Sequence, residues 1–518
     1  MIAKVTLLLV FVLMMVGIGL YCSKKVKNVG DFVLGGRNIG AWLAAFTYGT
    51  TYFSAVIFIG YAGKFGWHFG IAAAWIGVGN ALIGSMLAWM VLGKRTRRMT
   101  RHLDATTMPE FFQKRFDSKS IKIVASCIIF IFLVPYSASV YTGLGYLFES
   151  TFGVNYIYCE IGMAVVTAAY LILGGYVATA INDFIQGIIM IAGIALIIFF
   201  VLNNNVVGGL VGGLDKLRLA GAATAAAGGV NNFNIFGGDP VNLLGLVILT
   251  SIGAWGLPQM VHKFYTIRDD KAVRRGTVIS TVFALVIAGG SYFIGAFTKL
   301  FIGNPATNAS LMLPNGSGPN FDTFMPYMLQ KALPDLLIGV VIILVLSASM
   351  STLSSLVLVS SSSLTLDFIK GIFVPNMEKK TQILLMRVLC AVFVFASVIV
   401  ALQKGAIVTL MSFSWGALAG AFLAPFFYGL FWKGITRAGV WAGFVTGVGI
   451  TLAGFIISFN NIAVPVIGKY ITPPNVGAVA MLLPLLIVPL VSVLTPRIAA
   501  KIVDYAFESL IATEELVK

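Results

Sequence analysis

The sequence predicts an all-α polytopic membrane protein with about thirteen transmembrane helices, and three observations support this fold class. Of the 518 residues, 58% are hydrophobic and only 10% are charged, and the mean hydropathy is +0.95. Apolar stretches long enough to cross a bilayer recur along the whole chain. Inside a bilayer, backbone polar groups need partners within their own segment, which favours helices. The composition excludes an ordinary soluble protein.

The predicted spans divide into a leading span and twelve numbered spans. The leading span, residues 4–22, has no small-residue cleavage site after it, so we interpret it as a retained span and not as a signal peptide. Spans 1 to 12 are predicted at residues 41–62, 70–93, 120–146, 155–173, 181–202, 240–260, 277–300, 335–363, 382–403, 406–431, 435–459 and 475–495.

The basic residues predict the orientation of these spans. Most of the 35 Lys and Arg residues lie in alternate segments: 23–40, 94–119, 261–276, 364–381, 432–437 and the C-terminal segment. The positive-inside rule then places the N-terminus outside and the C-terminus in the cytoplasm, and we expect a plasma-membrane protein. The net charge of +16 therefore indicates contact with the lipid bilayer and not with nucleic acid.

Span 8 carries an unusual number of hydroxyl groups between Ser347 and Ser355. Four residues of this stretch share one helix face, because they are spaced at i, i+3, i+4 and i+7. They are Ala348, Ser351, Thr352 and Ser355. Oxygen atoms are the ligands that hard cations prefer, so this face is a candidate part of a sodium site. Alternatively, the hydroxyls serve packing between membrane helices.

Two spans contain interruptions that predict broken helices. Span 1 has a polar and β-branched stretch at 48–54, and span 6 has Gly253, Gly256 and Pro258, which permit unwinding as a hinge. The interruptions open two five-span blocks, 41–202 and 240–431. Broken helices at corresponding places in two halves are typical of a transporter's central site, although each alone is also compatible with a packing kink.

Asp183, near the predicted inner end of span 5, is interpreted as the acid inside the membrane. An intramembrane carboxylate is costly and points to function. Because Asp183 lies at a predicted span start, it is alternatively an interfacial helix cap.

Four stretches of this sequence resemble motifs of the sodium:solute symporter family, which includes sodium/glucose, proline, pantothenate and sialic acid symporters. The first is residues 31–37, before span 1, and the second is Pro258 with the basic run to Arg275. The span-5 motif is Gly174-Gly175-Tyr176 followed by Asp183 and Gln186. The span-8 motif begins at Met350-Ser351-Thr352 and continues to Asp367.

The resemblance implies a leucine-transporter-like architecture, a five-plus-five inverted repeat. The predicted parts are residues 1–40, a leading helix and cytoplasmic loop; 41–202, the first repeat; 203–239, an external loop; 240–431, the second repeat; and 432–518, two further spans and a cytoplasmic C-terminus.

The family's ligand positions imply two sodium sites in this chain. The first site would comprise Thr50, Phe53, Ala348, Ser351 and Thr352. The second, known in some members, would comprise Asp183, Ser351, Ser354 and Ser355. Because all these oxygens are present, we expect two sodium ions per solute. The alternative is that Asp183 pairs with a nearby Lys or is a hydrated cap.

The substrate positions depart from those of known members. Proline symporters carry an acid where this chain has Tyr52, and sialic acid symporters carry an Arg on span 3 that is absent here. The pocket inferred beside the breaks lacks a fixed cation, so it suits a small neutral or zwitterionic solute such as an amino acid; a monocarboxylate or a pantothenate-like vitamin is the alternative. Its predicted lining is Thr51, Tyr52, Tyr136, Trp255, Gln259 and Ser414.

These features together predict a sodium-coupled secondary active symporter that imports a small organic solute by alternating access. Sodium is the expected coupling ion, and no organic cofactor is expected. An enzyme is disfavoured because the spans contain no HExxH motif, GxSxG motif or paired carboxylates. A channel remains an alternative because broken helices occur in channels too. We expect a monomer or a weak oligomer.

Overall fold

The computed structural model describes residues 2–23, 28–226, 233–313, 316–460, 462, 465 and 468–511. These described residues are almost all helical, and their only strand-like pairings are two isolated bridges, Ile39 with Ile267 and Met312 with Pro319. The all-α prediction is therefore confirmed.

Helices occur at every predicted span. The leading span is Ile2–Ser23; span 1 is Ala41–Tyr52, Val56–Tyr61 and Ala62–Phe69; span 2 is Gly70–Ala73, Ala74–Gly79, Asn80–Leu87, Trp89–Gly93 and Lys94–His102; span 3 is Lys119–Phe152; spans 4 and 5 form Tyr156–Asn203; and span 6 is Pro240–Ile252, Gly253–Trp255 and Pro258–Thr266.

The later spans follow in the same order. Span 7 is Asp270–Ala284, Leu285–Gly289, Gly290–Ala296 and Thr298–Ile302; span 8 is Asp335–Ser363, Leu364–Ile369 and Lys370–Ile372; span 9 is Lys379–Ala401; span 10 is Ile407–Phe431; span 11 is Arg437–Phe459; and span 12 is Pro473–Val493.

Shorter helices cover the ends of the bundle. They are Val29–Leu34, Gly35–Arg37, Met108–Phe116, Gly209–Ala226, Pro305–Thr307, Ala309–Leu311, Phe321–Thr323, Phe324–Ala332, Gly468–Tyr470 and Ala500–Ile511. The predicted loop 203–239 thus contains an 18-residue helix that the Gly- and Ala-rich composition did not suggest.

Within the described residues, 11 helices are long and apolar enough to cross a membrane. This number is below thirteen because the second half of span 1 runs on into span 2 as one stretch, Val56–His102, and because the first half of span 1 and span 4 are each too short for that criterion. The exact number of spans therefore stays a prediction.

Spans 4 and 5 are joined without the predicted loop. The helix Tyr156–Asn203 has one non-helical residue, Gly175, whose φ of 60° and ψ of −167° are readily accessible only to glycine. A Cβ atom at this position would also lie 3.0 Å from the Phe32 ring. A single glycine therefore reorients the helix where a loop was expected.

The predicted break in span 1 is present. The first half-helix, Ala41–Tyr52, ends at Phe53, whose backbone is extended, and the second half-helix begins at Val56. The break leaves the last carbonyls of the first half-helix inside the protein without the helical donors that would otherwise satisfy them.

The predicted break in span 6 is also present, and it lies at Gly256 and Leu257. Leu257 has extended backbone, and Pro258 begins the second half-helix, where its missing N–H costs little. Gly253 still has helical dihedral angles, so the interruption begins after the first of the three predicted hinge residues.

Gly256 serves close packing more than backbone freedom. Its φ of −106° is open to any residue. A Cβ atom there would lie 2.8 Å from the Leu423 backbone nitrogen on span 10. The glycine therefore lets the broken segment of span 6 lie directly against the span-10 backbone.

Spans 8 and 10 are the most buried of the candidate membrane helices, with 78% and 83% of their apolar windows inside the protein. Span 8 packs against span 1, span 3, span 9 and the helix Tyr156–Asn203. The leading span lies at the periphery, and Lys4 forms an ion pair with Asp335 at the start of span 8. The hydroxyl-rich helix is therefore at the centre of the bundle.

We predict that Gly256→Ala lowers the stability of the protein by about 1–3 kcal/mol, because the new methyl group overlaps the rigid span-10 backbone. Gly162→Ala is the matched control, since nothing lies within 4 Å of a Cβ atom at that helical position. The measurement is the apparent melting temperature in detergent. Equal melting temperatures for the two variants would contradict the packing role.

Candidate ion and solute site

The end of the first half of span 1 exposes backbone carbonyls to the centre of the protein. The Phe53 N–H donates to the Gly49 carbonyl at 3.1 Å, and the chain then becomes extended. The carbonyls of Thr50 and Thr51 lie beyond that bond, at the negative end of the half-helix. Both residues are buried, so their carbonyl oxygens need partners from elsewhere in the protein.

Span 8 supplies these partners from the face that the sequence predicted. The Ser351 hydroxyl donates to the Thr50 carbonyl at 2.9 Å. The Thr352 hydroxyl lies 3.2 Å from the Thr50 carbonyl and 3.1 Å from the Thr51 carbonyl. The Ala348 carbonyl joins the cluster, because its oxygen lies 3.0 Å from the Ser351 hydroxyl and 3.1 Å from the Thr352 hydroxyl.

The structure thus brings together four of the residues predicted for the first sodium site. They are Thr50, Ala348, Ser351 and Thr352. The fifth, Phe53, lies at the break itself, and its ring stacks on Tyr52 with centroids 4.4 Å apart. The carbonyl and hydroxyl oxygens converge, and no charged side chain among the described residues contacts them. This environment suits a small monovalent cation.

A buried lysine extends this cluster toward Asp183. The Ser355 hydroxyl is 2.9 Å from the Thr51 hydroxyl and accepts a hydrogen bond from the Lys263 ammonium at 2.8 Å. The same ammonium lies 4.0 Å from a carboxylate oxygen of Asp183. It also lies 5.3 Å from the centre of the Tyr176 ring. A fixed cation therefore lies among residues predicted to bind a second sodium ion.

Asp183 is not the interfacial cap that one interpretation of the sequence suggested. It lies well after the break at Gly175, inside the helix Tyr156–Asn203, and is only 1% exposed. Ser354, also predicted for the second sodium site, donates to the Ser351 carbonyl at 2.8 Å within its own helix. Of this predicted set, Asp183 and Ser355 both lie near Lys263.

Lys263 is absent from the predicted sites because the sequence places it in the basic segment 261–276. The structure places it on the half-helix Pro258–Thr266, where it is 1% exposed. The short distance in sequence from Pro258 could have indicated that Lys263 is buried, because a helix that restarts at this proline keeps its next turns within the bundle.

A second buried acid on the same helix was also missed. Glu160 lies within predicted span 4 and is fully buried, so Asp183 is not alone inside the membrane. Neither Glu160 carboxylate oxygen has a hydrogen-bond partner among the described residues.

A narrow cavity lies on the other side of the span-1 break. Tyr52 closes it by donating to the Thr250 carbonyl at 2.5 Å and by stacking on Trp415, with ring centroids 6.1 Å apart. In this conformation the cavity has room for about one water molecule, so these side chains must separate to admit a solute. Its lining is uncharged: Tyr52, Phe53, Ser54, Val56, Ile57, Tyr61, Asn80, Tyr136, Thr250, Tyr292, Met411 and Trp415.

Two of the six predicted pocket residues, Tyr52 and Tyr136, line this cavity. Thr51 instead faces Ser355. The Trp255 indole N–H donates to the Ile83 carbonyl at 2.9 Å, and the Ser414 hydroxyl donates to the Phe132 carbonyl at 2.5 Å. Gln259 is buried on the second half of span 6.

Span 2 and span 10 contribute residues that the sequence analysis did not select. Asn80 is a buried amide within an apolar span, and its oxygen accepts from Ser251 at 3.1 Å. Trp415 directly follows Ser414, which was predicted, and its ring lies 5.7 Å from that of Tyr136. A polar residue inside span 2 was a usable signal for Asn80. Predicting Trp415 and not the adjacent Ser414 would have required knowing how span 10 is rotated about its own axis.

Further cavities open at the two ends of the bundle. One is lined by residues that include Lys64, Trp67, His68, Asp239 and Lys299. The other lies among basic and acidic residues at the opposite end; its lining includes Arg37, Glu110, Lys122, Asp367 and Lys379. The narrow central cavity and the cluster of carbonyl and hydroxyl oxygens between spans 1 and 8 lie beside the break in span 1. Both end cavities, in contrast, are lined by charged side chains.

Comparison with solved structures shows the fold. A sodium-coupled sialic acid symporter in a substrate-bound, outward-open state superposes with a TM-score of 0.71 at 18% identity, covering 96% of this chain and 98% of that chain. Mhp1, a nucleobase-cation-symport-1 family transporter in a closed conformation, superposes with a TM-score of 0.51 at 13% identity, covering 93% of this chain and 99% of that chain. The predicted leucine-transporter-like fold is confirmed.

Comparison of sequences identifies the family. A sodium/proline symporter of Staphylococcus aureus is 30% identical over 451 residues, which are 85% of this chain and 83% of the relative. Such relatives are transporters, which confirms the expectation that the chain is not an enzyme. The sequence profile of the sodium:solute symporter family matches residues 32–447. The chain therefore belongs to the sodium:solute symporter family.

Proposed function

We propose that this protein imports a small neutral or zwitterionic organic solute together with sodium by alternating access. The observation that carries the proposal is the meeting of the broken span 1 with the hydroxyl face of span 8, directly beside an uncharged aromatic cavity. Oxygens on one side of the break suit the ion, and aromatic rings on the other side suit the solute.

The sodium ion would bind at the end of the first half of span 1. The Thr50 and Thr51 carbonyls, the Ala348 carbonyl and the two hydroxyls of span 8 are the supporting groups. The hydroxyls now donate to the carbonyls, and rotation of their O–H bonds would turn oxygen lone pairs toward an ion. The negative end of the half-helix adds attraction for a cation.

Ion binding and solute binding would be coupled through the break itself. Thr50 and Thr51 face span 8, whereas the next two residues, Tyr52 and Phe53, line the cavity. A sodium ion that fixes the backbone at Thr50 and Thr51 also fixes the position of the two rings. Each ligand would therefore favour the conformation that the other binds.

The cavity chemistry supports an amino-acid-like solute. Trp415, Tyr52 and Tyr136 cluster at this cavity, and the faces of such rings attract an ammonium group by cation–π interaction. The Thr250 carbonyl, now bonded to Tyr52, is an acceptor for the same group. The relatives named sodium/proline symporter agree with this solute class, while Tyr52, in place of the acid of proline symporters, argues against assigning proline itself.

A monocarboxylate is the second candidate, and the cavity at one end of the bundle favours it. Among the described residues that line this cavity, Lys64 and Lys299 carry positive charges and Asp239 carries a negative charge. In the predicted orientation it faces outward, where an excess of basic groups would attract an anionic solute. Uptake of a carboxylate that lacks an amino group would favour this candidate.

The remaining organisation follows the sequence prediction. We propose that the protein lies in the plasma membrane with its N-terminus outside. The repeats would be residues 41–202 and 240–431, and movement of helices around the two breaks would open the central cavity to one end cavity at a time. The solute, the bilayer and sodium are the partners that this cycle requires.

The function is tested by an uptake screen in proteoliposomes. Labelled amino acids, monocarboxylates, sugars and vitamins are offered with an inward sodium gradient, and separately with choline in place of sodium. We expect uphill accumulation of one solute class in sodium alone. A solute that only equilibrates would instead indicate a channel.

We predict that the double substitution Ser351→Ala and Thr352→Ala raises the sodium concentration for half-maximal uptake at least about tenfold, a loss of about 1.4 kcal/mol in ion binding. The physical reason is the removal of two side-chain oxygens that meet the Thr50 and Thr51 carbonyls. Uptake is measured as a function of sodium concentration in proteoliposomes.

The control for this pair is Ser349→Ala with Ser362→Ala. These hydroxyls also lie on span 8, but they bond to the Val345 and Val359 carbonyls of their own helix. Sodium dependence should be unchanged in the control. Unchanged sodium dependence in the Ser351/Thr352 pair would remove these residues from the site.

We predict that Trp415→Leu raises the KM for the solute identified by the screen about tenfold, because leucine retains apolar bulk but removes the ring face. Trp441→Leu is the control, since Trp441 packs against Phe444 on span 11. The KM is measured at saturating sodium. If both variants keep the original KM, the solute binds outside this cavity.

A further inference from the structure

Lys263 is a buried, charged residue near the proposed ion site that neither predicted sodium site includes. It lies on the second half of span 6, five residues after Pro258, and points into the protein. Its ammonium donates to the Ser355 hydroxyl at 2.8 Å and lies 4.0 Å from Asp183. Asp183 and Ser355 are the residues from which the sequence predicted a second sodium site.

An ionised Asp183 would require a positive charge nearby. Its carboxylate is 1% exposed, and neither oxygen accepts a hydrogen bond from the described residues. An ionised acid in such surroundings is costly unless a cation compensates it. Lys263 is a cation tethered to the chain, so it supplies this compensation without an ion from solution.

An ammonium group and a sodium ion would compete for the same space. Both carry one positive charge, and both interact favourably with carboxylate and hydroxyl oxygens. The Lys263 ammonium already contacts Ser355 and faces Asp183, and the Tyr176 ring lies on another side of it. A sodium ion at this position would have to displace the lysine and would be repelled by it.

We propose that the Lys263 ammonium takes the place of a second sodium ion, so that this protein binds one sodium ion per chain. The inference rests on the proposed sodium-coupled function and defines its ion count. It replaces the two-ion expectation from sequence, which was based on the oxygens of Ser351, Ser354, Ser355 and Asp183 without the lysine.

The tethered cation is also linked to the first ion site. Ser355, which accepts from Lys263, lies 2.9 Å from the Thr51 hydroxyl, and the Thr51 carbonyl belongs to the first site. The lysine is carried by the second half of span 6, whereas Thr51 is carried by the first half of span 1. Because the Lys263 ammonium is part of the chain and does not dissociate as a sodium ion does, its bond to Ser355 would link the two broken helices to span 8.

The test is equilibrium binding of radiolabelled sodium, without solute, to the purified full-length protein in lipid nanodiscs. We expect saturation at one ion per chain. Lys263→Ala removes the competing ammonium and leaves Asp183 and Ser355 in place, so the count should rise to two. Adding Asp183→Asn to this variant should return the count to one. Lys299→Ala, which removes a lysine from an end cavity, is the matched control and should keep a count of one.

A count of two in the unmutated protein, or a count of one in folded Lys263→Ala, would overturn the inference. If Lys263→Ala does not fold, Thr352→Ala decides, because Thr352 contacts the first site only. A single sodium-binding phase with lowered affinity supports a single site, and an additional phase with unchanged affinity reveals a second site and overturns the inference. The absence of any sodium binding in the unmutated protein would overturn the proposed function itself, and the inference with it.

Discussion

The rest of the central structure depends on the unsatisfied carbonyls at the end of the first half of span 1. Stopping a helix inside the bundle leaves buried acceptors, and each such group costs about 1–3 kcal/mol if it finds no partner. Span 8 provides the partners through Ser351 and Thr352. This need explains why Ser351 and Thr352 carry hydroxyl groups on a buried helix. It also creates a place where a sodium ion can substitute for a hydrogen bond.

The number of sodium ions that bind near this break determines how much free energy is available to accumulate the solute. One sodium ion crossing 100 mV down a tenfold gradient supplies about 3.7 kcal/mol, enough for roughly 500-fold accumulation of a neutral solute. A second ion would extend this to about 10⁵-fold. With Lys263 held beside Asp183, the protein keeps the second positive charge as part of its own structure. The protein would therefore reach the lower of these two accumulation ratios. Asp183 would still have a positive charge beside it, as it would in a site that holds two sodium ions.

Most of the fold, and the oxygen cluster between spans 1 and 8, could be predicted from sequence because they depend on patterns among residues that are near each other in the chain. Helical spacing placed Ala348, Ser351 and Thr352 on one face, and polar or proline-containing interruptions located both broken helices. The cavity was harder to predict because its lining depends on helix rotation. Ser414 and Trp415 are neighbours in sequence, yet only Trp415 faces the cavity. Lys263 was missed for a related reason, since its burial depends on where the half-helix after Pro258 ends.

In the proposed mechanism, sodium binds between the end of the first half of span 1 and the hydroxyl face of span 8. The most direct test compares high-resolution density maps of the purified protein prepared in sodium and in choline. The account predicts a difference peak about 2.5 Å from the Thr50 and Thr51 carbonyl oxygens and the hydroxyl oxygens of Ser351 and Thr352. It predicts none beside Asp183, where the Lys263 ammonium lies. A sodium-dependent peak at any other place, with none between these two helices, would contradict the account.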